Sequence, residues 1–353
     1  MKSKTAFLYK PHDLRIEEVE LAPLKPNQVL IRVGACGICG SDVECYEGKS
    51  AEGRYDIAPY TPGHEWGGKI VEIGSNVTTL KPGMKVTGDC VMACGYCKNC
   101  KDGLMPSACL NMREIGFRPD SPGGMGEYMI AEEQYIHQIP DDWSYAMGAW
   151  VETFSIGYFG LWGNDGYIDA SDTALIFGCG PVGISATMVA KTSGAKVIVV
   201  DPLPSRRSLA LLYGADYALD PNSKNLKEQV VQITGGCGPS VIAEASGNDN
   251  AIASIFDIAG HSCRVHLIGH SIGRKVSVEL GWTIWKTLKI NGSGGTKDFG
   301  QRTIRFMSAI KDKYDFDALN THYYSFDRLH EAMETSINEK ASAFKVMLQF
   351  PVD

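Results

Sequence analysis

From residue 173 to residue 268 the chain alternates short apolar runs with longer helical patterns: "TALIF", "PVGISATMVAKTSGA", "KVIVV", "SRRSLALLYGA", "YALD", "NLKEQVVQITGG", "VIAEASG" and "RVHLIG". Strands separated by helix-length connections cannot form tight hairpins, so this region predicts a parallel sheet with crossover helices. The preceding chain reads differently. Between residues 5 and 90 the runs "QVLIRVGACG", "GGKIVEIGS" and "GMKVTGDC" are punctuated by Gly and Pro, which predicts a small β-rich domain or partly open barrel. A length of 353 residues also suggests two domains. The tail from about residue 300, with helical "RTIRFMSAIKDKYD" and "RLHEAMETSINEK" and a lone final strand "AFKVMLQF", is expected to return to the first domain. The expected bounds are 1–155, including a lobe at 90–113, then 156–295, then 296–353.

A formal net charge of -7 argues against nucleic acid as a partner, because phosphate backbones call for a basic face. No apolar run approaches the 18 or so residues needed to span a bilayer, and no export signal is recognisable, so the expected location is cytoplasmic and no membrane partner is expected. The eleven cysteines are accordingly expected to be thiols or metal ligands rather than disulfides.

Gly178, Gly180 and Gly183 form G-x-G-x-x-G between a predicted strand and a predicted helix. There glycines permit a tight turn and close backbone approach, and the helix N-terminus can hold a pyrophosphate. Asp201 ends the next strand, where a carboxylate accepts hydrogen bonds from an adenosine ribose and repels a 2′-phosphate; NAD is favoured over NADP. Arg206 and Arg207 can contact a 2′-phosphate or lie over an adenine. The plain alternative is a tight strand–helix turn with no ligand.

"CGYCKNCKDGLMPSAC" sets Cys94, Cys97, Cys100 and Cys109 at the C-x2-C-x2-C-x8-C spacing of a closed, four-thiolate structural zinc. Spectator thiols and an iron–sulfur cluster are the alternatives. A second group is dispersed: Cys39, Ser41 and Asp42 in "GICGSD", and His64 and Glu65 in "PGHEWGG". Glu152 is the one charge in "GAWVETFSIGYFGLW", and a carboxylate in such surroundings must be paired, neutralised or metal-bound. A salt bridge or a helix N-cap contact would satisfy it. So would a zinc held by Cys39, His64 and Glu152, with a fourth position open for water or substrate.

These motifs, with "GEYM" and "GCGPVG", follow the order found in the zinc-containing medium-chain alcohol and polyol dehydrogenases, and across essentially the whole chain the sequence resembles that family. The resemblance implies an α/β protein: a GroES-like β-rich catalytic domain plus a Rossmann doubly wound parallel-sheet domain, with one catalytic and one structural Zn2+ per chain and NAD as cofactor. It implies Cys39, His64 and Glu152 as catalytic zinc ligands, the glutamate resembling sorbitol and threonine dehydrogenases. Glu65 would stand beside the metal, Ser41 would pass the substrate proton outward, and Asp42 would orient His64. Glu44 stands where relatives often carry histidine, so proton exit would run through a carboxylate or water. Pro181 and Val182 join the glycines, Asp201 and Arg206 at the cofactor, and Ile268, Gly269, His270, Ser293 and Gly294 fall where the family's loops meet the nicotinamide. "PGHEW", "EIGFRPD" and "DPLPSRR" resemble cyclitol dehydrogenases; Trp66, Tyr46, Arg118 and His270 are candidates for a polar pocket, or for packing and surface.

The expected activity is oxidation of a secondary alcohol of a polyol, cyclitol or sugar derivative to its ketone by hydride transfer to NAD. The partner is a small hydroxylated substrate, and by resemblance the protein is a homo-oligomer, a tetramer or dimer. The alternatives are L-threonine 3-dehydrogenase and a nucleotide-binding scaffold without catalysis.

Overall fold

The computed structural model describes residues 1–50, 57–162, 167–269, 273–292 and 299–352. In chain order the first part comprises β1 (Lys2–Lys10), β2 (Asp13–Glu20), β3 (Gln28–Gly37), α1 (Gly40–Tyr46), β4 (Glu65–Ile73), β5 (Lys85–Gly88), β6 (Val91–Met92), α2 (Lys98–Lys101), β7 (Arg113–Glu114), β8 (Tyr128–Glu132), β9 (Ile136–Gln138) and α3 (Tyr145–Trp162). There follow β10 (Thr173–Phe177), α4 (Pro181–Thr192), β11 (Lys196–Val200), α5 (Pro204–Leu212), β12 (Tyr217–Leu219), α6 (Leu226–Ile233), β13 (Val241–Glu244), α7 (Asp249–Ile258), β14 (Arg264–Leu267), α8 (Gly281–Trp285) and β15 (Lys289–Gly292). The chain closes with α9 (Phe299–Ile310), β16 (Asn320–Ser325), α10 (Leu329–Asn338) and β17 (Lys345–Gln349). Two compact units result: Met1–Glu152 with Gly295–Asp353, and Thr153–Gly294.

The first unit is built on a sheet of order β16-β17-β3-β4-β5-β9, with β8 also paired to β3. β3 is covered on both faces, which is why "VLIRVGAC" is almost continuously apolar rather than alternating. Its core gathers Ile31, Ile70, Val86, Met125 and Leu348 around the fully buried Trp66. The final strand is not lone: β16 pairs with it in parallel, and β17 pairs antiparallel with β3. The threonine and two tyrosines of "NTHYYS" did not stand out as a strand between charged helices.

The second unit is a six-stranded sheet of order β12-β11-β10-β13-β14-β15, and every neighbouring pair is parallel. This is the doubly wound Rossmann order, in which the chain moves outward from β10 in one direction and returns to start again at β13. Leu175, Phe177, Ile198, Val200, Ile242 and Val265 supply one face of the core.

One contact in the first unit fixes the helix that carries Glu152. Trp150 is fully buried, its Nε1 donates to Asn320 Oδ1 at 2.8 Å, and its ring stacks on Phe344 with centroids 6.3 Å apart. Trp150→Phe leaves that acceptor without its donor and is expected to cost about 1–3 kcal/mol in denaturant unfolding. An unchanged midpoint would show that the bond does not anchor α3.

Candidate active site and metal centres

Sheet register, rather than sequence proximity, assembles the first site. Gly37 at the end of β3 is paired with Glu65 at the start of β4, and on the other side with Met347 of β17. Cys39 follows two residues past β3, His64 immediately precedes β4, and Lys345 lies two residues before Met347, so the three strand ends converge. Ligand atoms of Cys39, His64 and Glu65 all lie within 4.8 Å of one another. A thiol, an imidazole and a carboxylate that close form a donor set suited to zinc. Cys39 is the N-cap of α1, and its N–H donates to Asp42 Oδ2 at 3.0 Å. The other oxygen, Asp42 Oδ1, stands 3.7 Å from His64 Nδ1, with both side chains buried. Burial works against a charged imidazole, yet Asp42 and Cys39 beside it hold the His64 pKa well above its usual value.

Glu152 lies in the interior of α3, so it is not an N-cap, and it is 6% exposed. It is not within the 4.8 Å group of Cys39, His64 and Glu65. Burial pushes its carboxyl up to about 7, partly offset by His64 and Lys345 and reinforced by Glu65 and Asp42. Lys345 escaped the sequence reading. Its buried ammonium is ion-paired with Glu65 Oε2 and sits 5.5 Å from the Trp150 ring centroid. Burial alone would lower its pKa; Glu65 and Cys39 reverse that and raise it. Only the pairing of β17 with β3 could have pointed to it, and nothing in "ASAFKVMLQF" announces that pairing.

Ser41 and Glu44 lie one turn apart on α1, both half-buried. Trp66 and Tyr46 belong to the core, and Arg118 is paired with Asp120 at 3.0 Å, so packing and surface explain these three. His270, Ser293 and Gly294 lie outside the described residues.

The four lobe cysteines also gather within 4.8 Å. The separations Cys94–Cys100 and Cys97–Cys109 are 3.9 Å and Cys97–Cys100 is 3.4 Å. Thiolates about 2.3 Å from one tetrahedral ion stand about 3.8 Å apart, so the lobe fits a single zinc; a multi-iron cluster would need wider spacing. Backbone N–H groups point at the sulfurs, from Cys94 to Cys109 at 3.2 Å and from Cys97 to Cys94 at 3.4 Å. Desolvation opposes ionisation, but donors on Tyr96, Asn111 and Cys97 bring the Cys94 thiol down to about 6.

In the second unit Gly178 turns with φ +90° after β10, and a Cβ on Gly183 would stand 1.8 Å from the Gly178 carbonyl oxygen. Gly180 caps α4, Pro181 and Val182 form its first turn, and a Cβ on Gly180 would meet nothing within 4 Å, which leaves its backbone open to a ligand. Asp201 Oδ2 accepts the Cys179 N–H and Oδ1 the Leu203 N–H, both at 2.8 Å, which fixes the carboxylate beside the glycine turn. Arg207 is occupied by the carbonyls of Asp201 and Pro202. Arg206 also faces the Asp201 charge; burial lowers its pKa and Asp201 opposes that. The Ile268 side chain packs at Gly160 of α3, while Gly269 is exposed beside it.

A thiol–imidazole–carboxylate centre, a four-thiolate lobe and a dinucleotide-type sheet define a zinc-containing oxidoreductase. The Alcohol dehydrogenase GroES-like domain family matches residues 25–141 and the Zinc-binding dehydrogenase family residues 181–309. The chain is 31% identical over 329 residues to L-threonine 3-dehydrogenase of Rhizobium etli (strain CIAT 652), covering 91% of each. It is 34% identical over 256 residues to scyllo-inosose 3-dehydrogenase of Thermotoga maritima, covering 67% of this chain and 64% of the relative. An alcohol dehydrogenase of Escherichia coli CFT073 complexed with NADH superposes with a TM-score of 0.89 at 27% identity, covering 99% of each chain. The chain belongs to the zinc-containing medium-chain alcohol and polyol dehydrogenases, and it is an NAD-dependent zinc dehydrogenase.

The buried carboxyl of Glu152 carries a pH signature. A carboxyl with an ordinary pKa of 4.5 that is raised to about 7 in the fold keeps its proton longer in the folded chain, so stability falls as pH rises between those values. His64, also raised, extends the fall above its ordinary 6.5. Metal-stripped protein is therefore expected to melt at progressively lower temperature from about pH 5 to about pH 8, and Glu152→Gln to flatten the lower half of that curve. A flat wild-type profile would show that Glu152 ionises freely.

Proposed function

We propose that the enzyme oxidises a secondary alcohol of a polyol, cyclitol or sugar derivative to its ketone, with NAD as acceptor. The observation that carries this reading is the convergence of Cys39, His64 and Glu65 at the ends of β3 and β4, with the buried carboxyl of Glu152 in the same electrostatic neighbourhood. In our reading Cys39, His64 and Glu152 hold the zinc, and Asp42 orients the His64 ring. Glu65, already engaged by the Lys345 ammonium, stands beside the metal rather than on it. A zinc held there would supply Lewis acidity toward a substrate hydroxyl, and NAD bound to the second unit would supply the hydride acceptor. Ser41 receives the hydroxyl proton, and Glu44, on the same face of α1 one turn further on, relays it to water. Gly178, Gly180, Pro181, Val182 and Gly183 face the pyrophosphate, and Asp201 takes the ribose hydroxyls and disfavours a 2′-phosphate. Ile268 serves the nicotinamide end. A cytoplasmic location belongs to the same reading.

L-threonine 3-dehydrogenase is the second reading, favoured by the 31% identical relatives of that name. Purified holoenzyme with NAD, assayed for nicotinamide reduction against cyclitols, hexitols, sugar acids and L-threonine, decides between them. Turnover of a polyol or cyclitol is expected, with Glu152→Gln losing zinc and about two or more orders of magnitude of rate, while Glu65→Gln retains its zinc. Exclusive turnover of L-threonine would sink the polyol assignment, and zinc lost from Glu65→Gln but kept by Glu152→Gln would exchange the two carboxylates.

The homo-oligomer is part of this proposal. β15 is the edge strand of its sheet, and just before it α8 exposes Ile284 at 83% and Trp285 at 72%. An unpaired edge beside large apolar side chains is a surface that proteins cover. Sedimentation equilibrium at micromolar concentration is expected to give a dimer or tetramer that Trp285→Asp weakens; a wild-type monomer would refute the assignment.

A further inference from the structure

Glu244 ends β13 and is fully buried. Its Oε1 accepts the Ser246 N–H at 2.8 Å, the Gly247 N–H at 3.0 Å and the Ser246 hydroxyl at 2.5 Å, and its Oε2 accepts the Gly247 N–H at 3.3 Å. Its main-chain carbonyl takes the N–H groups of Ile268 at 2.9 Å and Gly269 at 3.0 Å. One residue thereby ties the turn after β13 to the turn after β14. The turn after β10 leans on the same structure: a Cβ on Gly178 would stand 3.0 Å from Ser246, and one on Gly269 would stand 2.7 Å from the Gly247 nitrogen. Gly247 itself has φ +62°, a conformation its carboxylate-bound N–H helps to hold.

The position of this hub in the sheet gives it a function. The strand order departs from β10 toward β11 and β12 in one direction and toward β13, β14 and β15 in the other. In such sheets the dinucleotide lies in the crevice outside the carboxyl ends of the two central strands, each half of the sheet taking one mononucleotide. Gly178 is on one lip of that crevice and Ser246–Gly247 on the other.

We propose that Glu244 is a positioning residue for the nicotinamide half of NAD: its carboxylate, filled by the Ser246 and Gly247 donors, sets the turn that forms that lip of the crevice. The proposal rests on the NAD reading above. A charged acceptor is needed there because an amide in its place would present a donor toward the Gly247 N–H at Oε2 and weaken the charge-assisted bonds at Oε1.

The test is titration calorimetry of zinc-loaded wild type and Glu244→Gln with NADH and, separately, with AMP, which occupies only the adenine half. The expected result is NADH binding weakened about tenfold or more, with AMP binding and zinc content unchanged. Equal affinities of both proteins for NADH would overturn the proposal, as would parallel loss of NADH and AMP, the mark of general damage to the sheet. If Glu244→Gln does not fold, Ser246→Ala removes the hydroxyl donor to Glu244, together with the acceptor of the Asn248 N–H at 3.1 Å, and keeps both main-chain donors; a loss of NADH affinity of about threefold with AMP unaffected is expected, and no change would overturn the proposal. Wild type that binds neither ligand would refute the NAD reading itself, a result separable from all of these.

Discussion

The candidate active site depends on one buried ion pair made possible by strand pairing. Lys345 and Glu65 are 280 residues apart in sequence, and both are almost wholly buried. Placing two such charges in the interior costs several kcal/mol each in lost hydration, and their attraction roughly restores it; what the pair contributes is position. Glu65 cannot leave Lys345 without stranding an ammonium, and Lys345 is itself held over Trp150, whose indole is bonded to β16. The same contacts that close the first unit therefore hold one carboxylate still, while burial raises the carboxyl of Glu152, two residues from Trp150, to about 7.

The second unit achieves order by shorter routes. Gly178, Gly183 and Asp201 act within or between neighbouring strand–helix turns, and the bond from the Cys179 N–H to Asp201 joins the ends of adjacent strands β10 and β11. Glu244 does the same for β13 and β14. A cofactor site of this kind is a stack of turns, each satisfied by the next, whereas the metal site is a meeting of strand ends from distant parts of the chain.

That difference governs what the sequence reveals. The parallel sheet, the glycine turn and Asp201 were legible because strand period, helix period and glycine spacing are local signals, and the cysteine lobe because its four ligands fall within one short segment. Cys39, His64 and Glu152 lie in separate segments that no local period connects; ligand chemistry and resemblance suggest grouping Cys39 and His64 with Glu152, and the structure brings Glu65 within 4.8 Å of the two. Lys345 was not legible at all: a lysine at the head of an apolar strand reads as a solvated end, and only the β17–β3 register turns it inward. Trp66 and Tyr46 were ambiguous for the opposite reason, since an aromatic beside a ligand motif suits a pocket or a core equally, and here both fill the core. β16 escaped because its polar and aromatic residues lie between two amphipathic helices whose pattern dominates the window.

The charges around the first site explain why a divalent cation belongs there. Cys39, Asp42, Glu65 and Glu152 bring four acidic groups into one electrostatic neighbourhood, against which the described residues set the Lys345 ammonium and the His64 imidazole. In the chain alone burial raises the pKa of Asp42 and pushes that of Glu152 up to about 7. Neutralising acids by protonation is the remedy of a buried site that lacks positive charge. A bound dication would provide that charge and favour the ionised carboxylates, so metal affinity and acid strength are two readings of one field. Lys345 already neutralises Glu65, so in the proposed reading a zinc ion would relieve the burden that the remaining acidic groups place on the fold.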